Sequence, residues 1–266
     1  MKGMNFFYET FLKDLRIAIS YKAQFLLSFI SIIFSFYFLI IFGSFVDAGQ
    51  NKLLEGYNLS YFEFLFFGIL VAEVTNVVIN TMPNTIKIYQ QTGIFEELVL
   101  AGKSEILIIT SSLGYPCFRL LIRLLAYFCL MSFFQNKLIF LDSLTIIALL
   151  LFCISLIGIS LIGCAFTIFL KGSSIIPQTY MMLSSILCGI AFPIESLPRI
   201  LAYLGELFPT KHFLVILRND FSDANVSSAH EIIILLAMSF ILLTLGFRMI
   251  NVSIKLSKKD GSLLFH

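Results

Sequence analysis

Residues 143–170 read SLTIIALLLFCISLIGISLIGCAFTIFL, an apolar run without one Asp, Glu, Lys or Arg. At about 1.5 Å of rise per residue, a helix of that length outreaches the ~30 Å hydrocarbon core of a bilayer. A water-facing helix keeps a polar stripe, and this one has none. The same signature recurs on both sides of it. Of 266 residues, 59% are hydrophobic, 13% are charged and 30 are Phe. A soluble domain carries about 25% charged residues, so a water-soluble enzyme, a disordered regulator and a nucleic-acid binder are disfavoured together. The chain reads as an all-α polytopic membrane protein, one transmembrane domain over 1–266.

Sustained apolar runs predict six transmembrane helices at 23–46, 61–82, 105–134, 143–170, 175–192 and 229–252. A polar turn over 47–52 follows the first, and Asp142 and Ser143 can cap the fourth. The residues 171–174 allow only a tight connection. With the N-terminus inside, the inner loops hold 11 Lys or Arg against 5 outside. That bias puts both termini in the cytoplasm; a plasma membrane, as in a bacterial inner membrane, is the expected setting.

Five cysteines (117, 129, 153, 164 and 188) lie in apolar runs without a CxxC pair, and His212, His230 and His266 are scattered. Neither pattern makes a disulfide framework or a metal cage, so no metal and no cofactor of the chain's own are expected. Gly102-Lys103-Ser104 mimics the end of a P-loop, but the first glycine of that motif would fall on Glu97.

Three segments are not ordinary loops. Within 1–22, Met4, Phe7, Tyr8, Phe11, Leu12, Leu15 and Ile19 share one helical face opposite Glu9, Lys13, Arg16 and Ser20. That amphipathy predicts a helix lying in the cytoplasmic interface. In the segment 84–104, Thr92 or Gly93 can open a short helix with Glu96 and Glu97 in its first turn, and Gly102 can close it. Beyond 192, Pro193, Pro198 and Pro209 disfavour helix at Phe192, Leu197 and Phe208, cutting 193–213 into apolar pieces too short to span. Broken helices dipping back into the outer leaflet are expected there.

Two of these segments carry a family resemblance. Gly93-Ile94-Phe95-Glu96-Glu97-Leu98 resembles the cytoplasmic Gly-Thr-Leu-Glu motif of type-2 ABC exporter permeases, with Ile94 and Phe95 replacing the Thr and Leu. Gly189, Phe192, Pro193, Leu197, Pro198, Pro209, Thr210 and Arg218 resemble the same family's Gly-x-x-Phe-Pro-x-x-x-Leu-Pro motif and its following Pro-Thr step and Arg. The resemblance implies a dimeric pore: a second permease copy, two cytoplasmic ATP-binding subunits that hold the ATP and Mg, surrounding membrane lipids, and no nucleic acid. It makes residues 94–98 a coupling helix seated in the ATPase, with Glu96 and Glu97 as polar contacts and Ile94, Phe95 and Leu98 as apolar anchors. It makes 193–213 an outer re-entrant gate, sets spans one and five across the dimer, and gives export of a drug, lipid or glycan.

Charges inside the spans need partners, because each costs roughly 2.5–3.5 kcal/mol at a helix centre. Glu63 and Glu73 lie in the second span; Arg119 and Arg123 lie one turn apart in the third. Counting rise places Glu73 about 18 Å below the outer end of its span and Arg119 about 21 Å above the inner end of its own. A Glu73–Arg119 ion pair is therefore expected. It would be glue between spans, or the arginines would attract an anionic headgroup or glycan phosphate. Ser160, Gly163, Cys164 and Thr167 share a face of the fourth span and read as close packing. Two other functions stay open: a non-transporting accessory or immunity subunit, and a lipid-modifying membrane enzyme, although no DxxD or HxxxH pattern serves the latter.

Overall fold

The computed structural model describes residues 2–47, 59–135, 142–170, 175–222 and 229–259. The turn over 48–52 and the tight connection 171–174 lie outside the described residues. The chain runs through α1 (Lys2–Ser20), α2 (Lys22–Asp47), α3 (Tyr61–Gln91), α4 (Ile94–Leu100), α5 (Glu105–Ser111) and α6 (Gly114–Gln135). It continues through α7 (Ser143–Phe169), α8 (Ile175–Leu187), a 3-10 turn (Ile194–Ser196), α9 (Arg199–Gly205), α10 (Pro209–Phe221) and α11 (Ala229–Lys259). Among the described residues, four helical stretches are long and apolar enough to cross a membrane: Tyr61–Gln91, Glu105–Phe134, Ser143–Phe169 and Ala229–Ser257. Joined across their 91° bend, α9 and α10 would make a fifth. The protein is a helical membrane protein.

Three predicted boundaries move, each for a local reason. The second span does not stop at residue 82; α3 carries Pro83 inside it and runs on to Gln91. The third run is broken at Ser112–Leu113. Pro116 has no N–H to offer the Ser112 carbonyl, and Ser111 and Ser112 hydroxyls turn back onto the Ile108 and Ile109 carbonyls. The fifth is only the 13-residue α8. At about 20 Å it falls short of a crossing. Gly189 follows it at φ 74°, a left-handed residue that no continuing helix allows.

The centre of the bundle is α3. Ser60 caps it: its hydroxyl accepts from Glu63 N at 3.3 Å, and its own N–H donates to Glu63 Oε2 at 2.9 Å. This reciprocal box satisfies two orphan donors at the helix start. Along its length Phe64, Phe66, Phe67, Leu70, Val71, Val74, Val78 and Ile79 are buried against α2, α6, α7, α8 and α10. Phe67 stacks on Phe221 at 4.5 Å between ring centroids, and Phe152 of α7 stacks on Phe213 at 4.7 Å.

The closest helix pair is α7 with α11. A Cβ on Gly158 would stand 2.5 Å from the Leu242 carbonyl carbon, and one on Gly246 would stand 2.6 Å from the Gly158 oxygen. Only glycine lets these backbones touch. The small face expected on the fourth span is also used. Gly163 meets Pro83 and Pro177, and Cys164 is buried.

Ser160 does more than pack. Pro83 cannot donate to the Ile79 carbonyl one turn before it, and Ser160 Oγ donates to that oxygen at 3.0 Å instead. The hydroxyl of α7 thus makes the proline in α3 tolerable. Ser160→Ala should lower stability by about 1–3 kcal/mol, the cost of a buried carbonyl left without a donor. A thermal midpoint in detergent, unchanged from the parent, would refute that assignment.

Candidate functional site

The intramembrane charges come together differently from the expected pair. Glu73 accepts from Arg123 Nη1 at 2.9 Å, and Arg123 Nη2 donates to Ser31 Oγ at 3.3 Å, tying α3, α6 and α2. The expected partner, Arg119, is not the one used. The reason is the extra length of α3. Glu73 stands 18 residues above Gln91, and Arg123 stands 18 residues above Glu105, so the two are level. The expected pair comes from counting Glu73 down from the outer end of its span and Arg119 up from the inner end of its own, which compares depths from opposite ends. Glu63, expected as an intramembrane charge, is instead the capping residue at the start of α3.

Arg119 faces outward into a polar groove between α3 and α6 of about 300 Å³. Asn76, Asn80 and Asn84 form one wall at one-turn intervals, with Tyr115 and Arg119 opposite and Arg123 at one end. Asn80 Nδ2 donates to Asn76 Oδ1 at 2.8 Å. The sequence reading missed this asparagine ladder. Its i, i+4, i+8 spacing inside an apolar span was the available signal.

The short helix α4 hangs from the foot of α3. Gly93 takes φ 74° at its N-cap, and Gly102 takes φ 77° at its close. Gly102 N–H reaches the Val99 carbonyl at 2.9 Å and Lys103 N–H the Leu98 carbonyl at 3.2 Å, a Schellman stop. Ser104 then caps α5 through Leu107 N. Gly102-Lys103-Ser104 is a stop followed by a start, not a phosphate loop. Phe95, expected as an outward anchor, is 1% exposed and roots α4 in its own bundle. Helical phase explains the correction. With Phe95 inward, Ile94, Glu97 and Leu100 share the free face, while Glu96 and Leu98 are half-buried flanks.

At the opposite end of α3, Arg218 closes a latch. It is 3% exposed, lies 3.4 Å from the centroid of the Phe64 ring and donates through Nη2 to the Phe64 carbonyl at 3.0 Å and toward the Ile190 carbonyl at 3.5 Å. The turn that carries Ile190 sits on bare backbone, since a Cβ on Gly68 would fall 2.1 Å from its oxygen. Tyr61 OH donates to the next carbonyl, Ala191, at 3.0 Å. Leu197 and Phe208 are extended before their prolines, as expected. Pro193 is buried, and Phe192 is at the surface. Pro198 precedes α9 as its N-cap rather than entering its first turn, and Pro209 opens α10. Thr210 bonds Tyr180 at 2.8 Å.

Neither a protein-family model nor a curated protein matches the chain. The latch and the groove are therefore described by their chemistry. One further polar group belongs to the latch end. His212 is 1% exposed, with Nε2 at 2.9 Å from the Glu206 carbonyl and Nδ1 at 2.5 Å from Glu231 Oε2. A carbonyl only accepts, so Nε2 carries a hydrogen, and the second bond needs a further proton shared between ring and carboxylate. That link joins α10 to α11 and was not visible in the sequence, where His212 and Glu231 are separated by a loop. Among the described residues, no cluster of His, Cys, Asp and Glu is placed to hold a metal ion.

Proposed function

We propose that the chain is the membrane-spanning subunit of an ATP-driven exporter of the type-2 ABC class, moving a drug, lipid or glycan outward. The observation that carries the reading is α4. A seven-residue helix does not hold its shape alone, yet this one is stopped by glycine at both ends and rooted by Phe95. Its free face presents Ile94, Glu97 and Leu100, the last 80% exposed, directly below the most buried helix of the bundle. An apolar and acidic tip on a stiff central rod suits transmission of a push from a soluble partner.

In this reading α2, α3, α5–α6, α7 and α11 are crossings and α8, too short alone, completes a sixth together with the turn after it, with both termini cytoplasmic in a bacterial inner membrane. The exposed Tyr8, Ile17 and Ile19 of α1 lie against lipid at the inner interface. The bent pair α9 and α10 dips in from the outer side and narrows the exit. A second copy covers the exposed apolar faces of α2 and α8, where Phe34, Tyr37, Phe38 and Met182 lie open. Two cytoplasmic subunits hold the ATP and Mg and do the hydrolysis, and the chain itself is no enzyme.

The test uses the full chain reconstituted with its cognate ATP-binding subunit. Glu97→Arg with Leu100→Asp should cut stimulation of ATP hydrolysis by roughly tenfold or more, as loss of an interface hot spot does. Both sites are at the surface, so the thermal midpoint should stay put. Phe95 is spared, because its loss would confuse uncoupling with unfolding. Full stimulation by the double variant would remove the coupling role. Retained partner binding without solute movement in vesicles would favour the accessory-subunit reading instead.

A further inference from the structure

We propose that the groove between α3 and α6 binds the phosphate of an anionic membrane lipid, with Arg119 as its charge partner and the asparagine ladder as its neutral donors. The site stands whether or not the chain works with an ATPase.

The charge balance makes the first point. Glu73 offsets Arg123 through the 2.9 Å pair. Arg119 forms no ion pair or hydrogen bond with the described residues and leaves the groove with one net positive charge. It follows directly on Phe118, which packs on Phe11 of the amphipathic α1, so it stands near the inner interface, where an anionic headgroup can meet it.

The lining makes the second point. Asn84 and the Tyr115 hydroxyl have no hydrogen-bond partner among the described residues, and Asn76 contributes only acceptors to Asn80. Two guanidinium groups with amide NH2 and phenol O–H donors are the set that an oxyanion takes, and the planar guanidinium binds phosphate oxygens in pairs. Glu73, the only acid near the groove's end, is already taken by Arg123.

The position of the groove chooses a lipid over a free solute. Asn84 stands about 7 Å above Tyr89, whose hydroxyl accepts from Lys13 Nζ of α1 at 3.1 Å. Phe11 of α1 packs on Tyr115 and Phe118 at ring distances of 6.5 and 5.7 Å. The lower end of the groove thus opens beside the amphipathic α1, at the level where headgroups lie, and Arg119 can reach down toward it. A volume of about 300 Å³ accepts a headgroup but not two acyl chains. Those have a bed on the exposed Ile122, one turn above Arg119, with Leu125 a further turn on.

Native mass spectrometry of the full chain tests this, taken from nanodiscs of phosphatidylcholine doped with phosphatidylglycerol. The parent protein should retain phosphatidylglycerol over phosphatidylcholine. Arg119→Gln should lose that retention by about tenfold or more, the factor expected for a charge-assisted hydrogen bond. Arg119→Lys should keep part of it, and Arg199→Gln, an exposed arginine on α9, should keep all of it. Equal retention by the parent and Arg119→Gln overturns the site, as does an equal loss in Arg199→Gln. Saturable binding of inorganic phosphate that Arg119→Gln abolishes, without lipid retention, keeps the anion chemistry and overturns the lipid as its source.

Discussion

Arg218→Ala is expected to cost about 3–5 kcal/mol and to leave little folded protein. The side chain donates to carbonyls of two different elements and lies flat on the Phe64 ring, all inside the bundle. Hydrogen bonds to a charged donor contribute roughly 1.5–3 kcal/mol, and truncation also leaves a cavity. The loss concentrates at one place: the turn after α8, which carries Gly189 at φ 74° and rests on Gly68. Without the guanidinium, the Tyr61 hydroxyl still holds the Ala191 carbonyl of that turn to α3, but the Ile190 carbonyl loses its donor. Arg218→Lys should recover only part, since an ammonium is a point donor and lacks the planar face that stacks on Phe64. Size-exclusion profiles and thermal midpoints in detergent read the result. An Arg218→Ala protein that melts with the parent would mean the latch is ornamental.

The second large effect is expected at the Glu73–Arg123 pair, where removing one partner is worse than removing both. Glu73→Leu strands the Arg123 guanidinium in the span, at about 2.5–3.5 kcal/mol for an uncompensated charge. The double variant Glu73→Leu with Arg123→Leu carries no stranded charge and should regain most of that stability. Exchanging the two residues should also be tolerated, apart from the lost bond from Arg123 to Ser31. A double-mutant cycle on thermal midpoints isolates the coupling. Purely additive losses would show that the pair contributes nothing beyond its separate contacts. A parallel cycle on Glu73 with Arg119 should give coupling near zero, which separates the arginine that glues from the arginine that faces the groove.

Much of the frame was legible in the residues. The run 143–170 became α7 almost residue for residue, and Asp142 does accept from Ser143 N at 2.7 Å. Gly93, Gly102 and the prolines of 193–213 marked breaks correctly, because backbone conformation at glycine and proline is a local property. The apolar run ended the second span at residue 82, yet α3 continues through Pro83. The proline's missing donor is made good by Ser160, a residue distant in the chain, and no local rule reveals such a partner. Phe95 misled because a seven-residue helix has too few turns to declare which side is inward.

By itself, the sequence determined that the protein is helical, that it belongs in a membrane, and that the chain breaks at Gly93, Gly102 and the prolines of 193–213, since hydrocarbon length and backbone stereochemistry act over a few residues. The tertiary structure alone decided that Arg123 rather than Arg119 meets Glu73, that Arg218 latches the turn at Ile190, and that three asparagines share a groove with Arg119. Those outcomes depend on which turns of separate helices stand level, and that is fixed only when whole faces pack against one another.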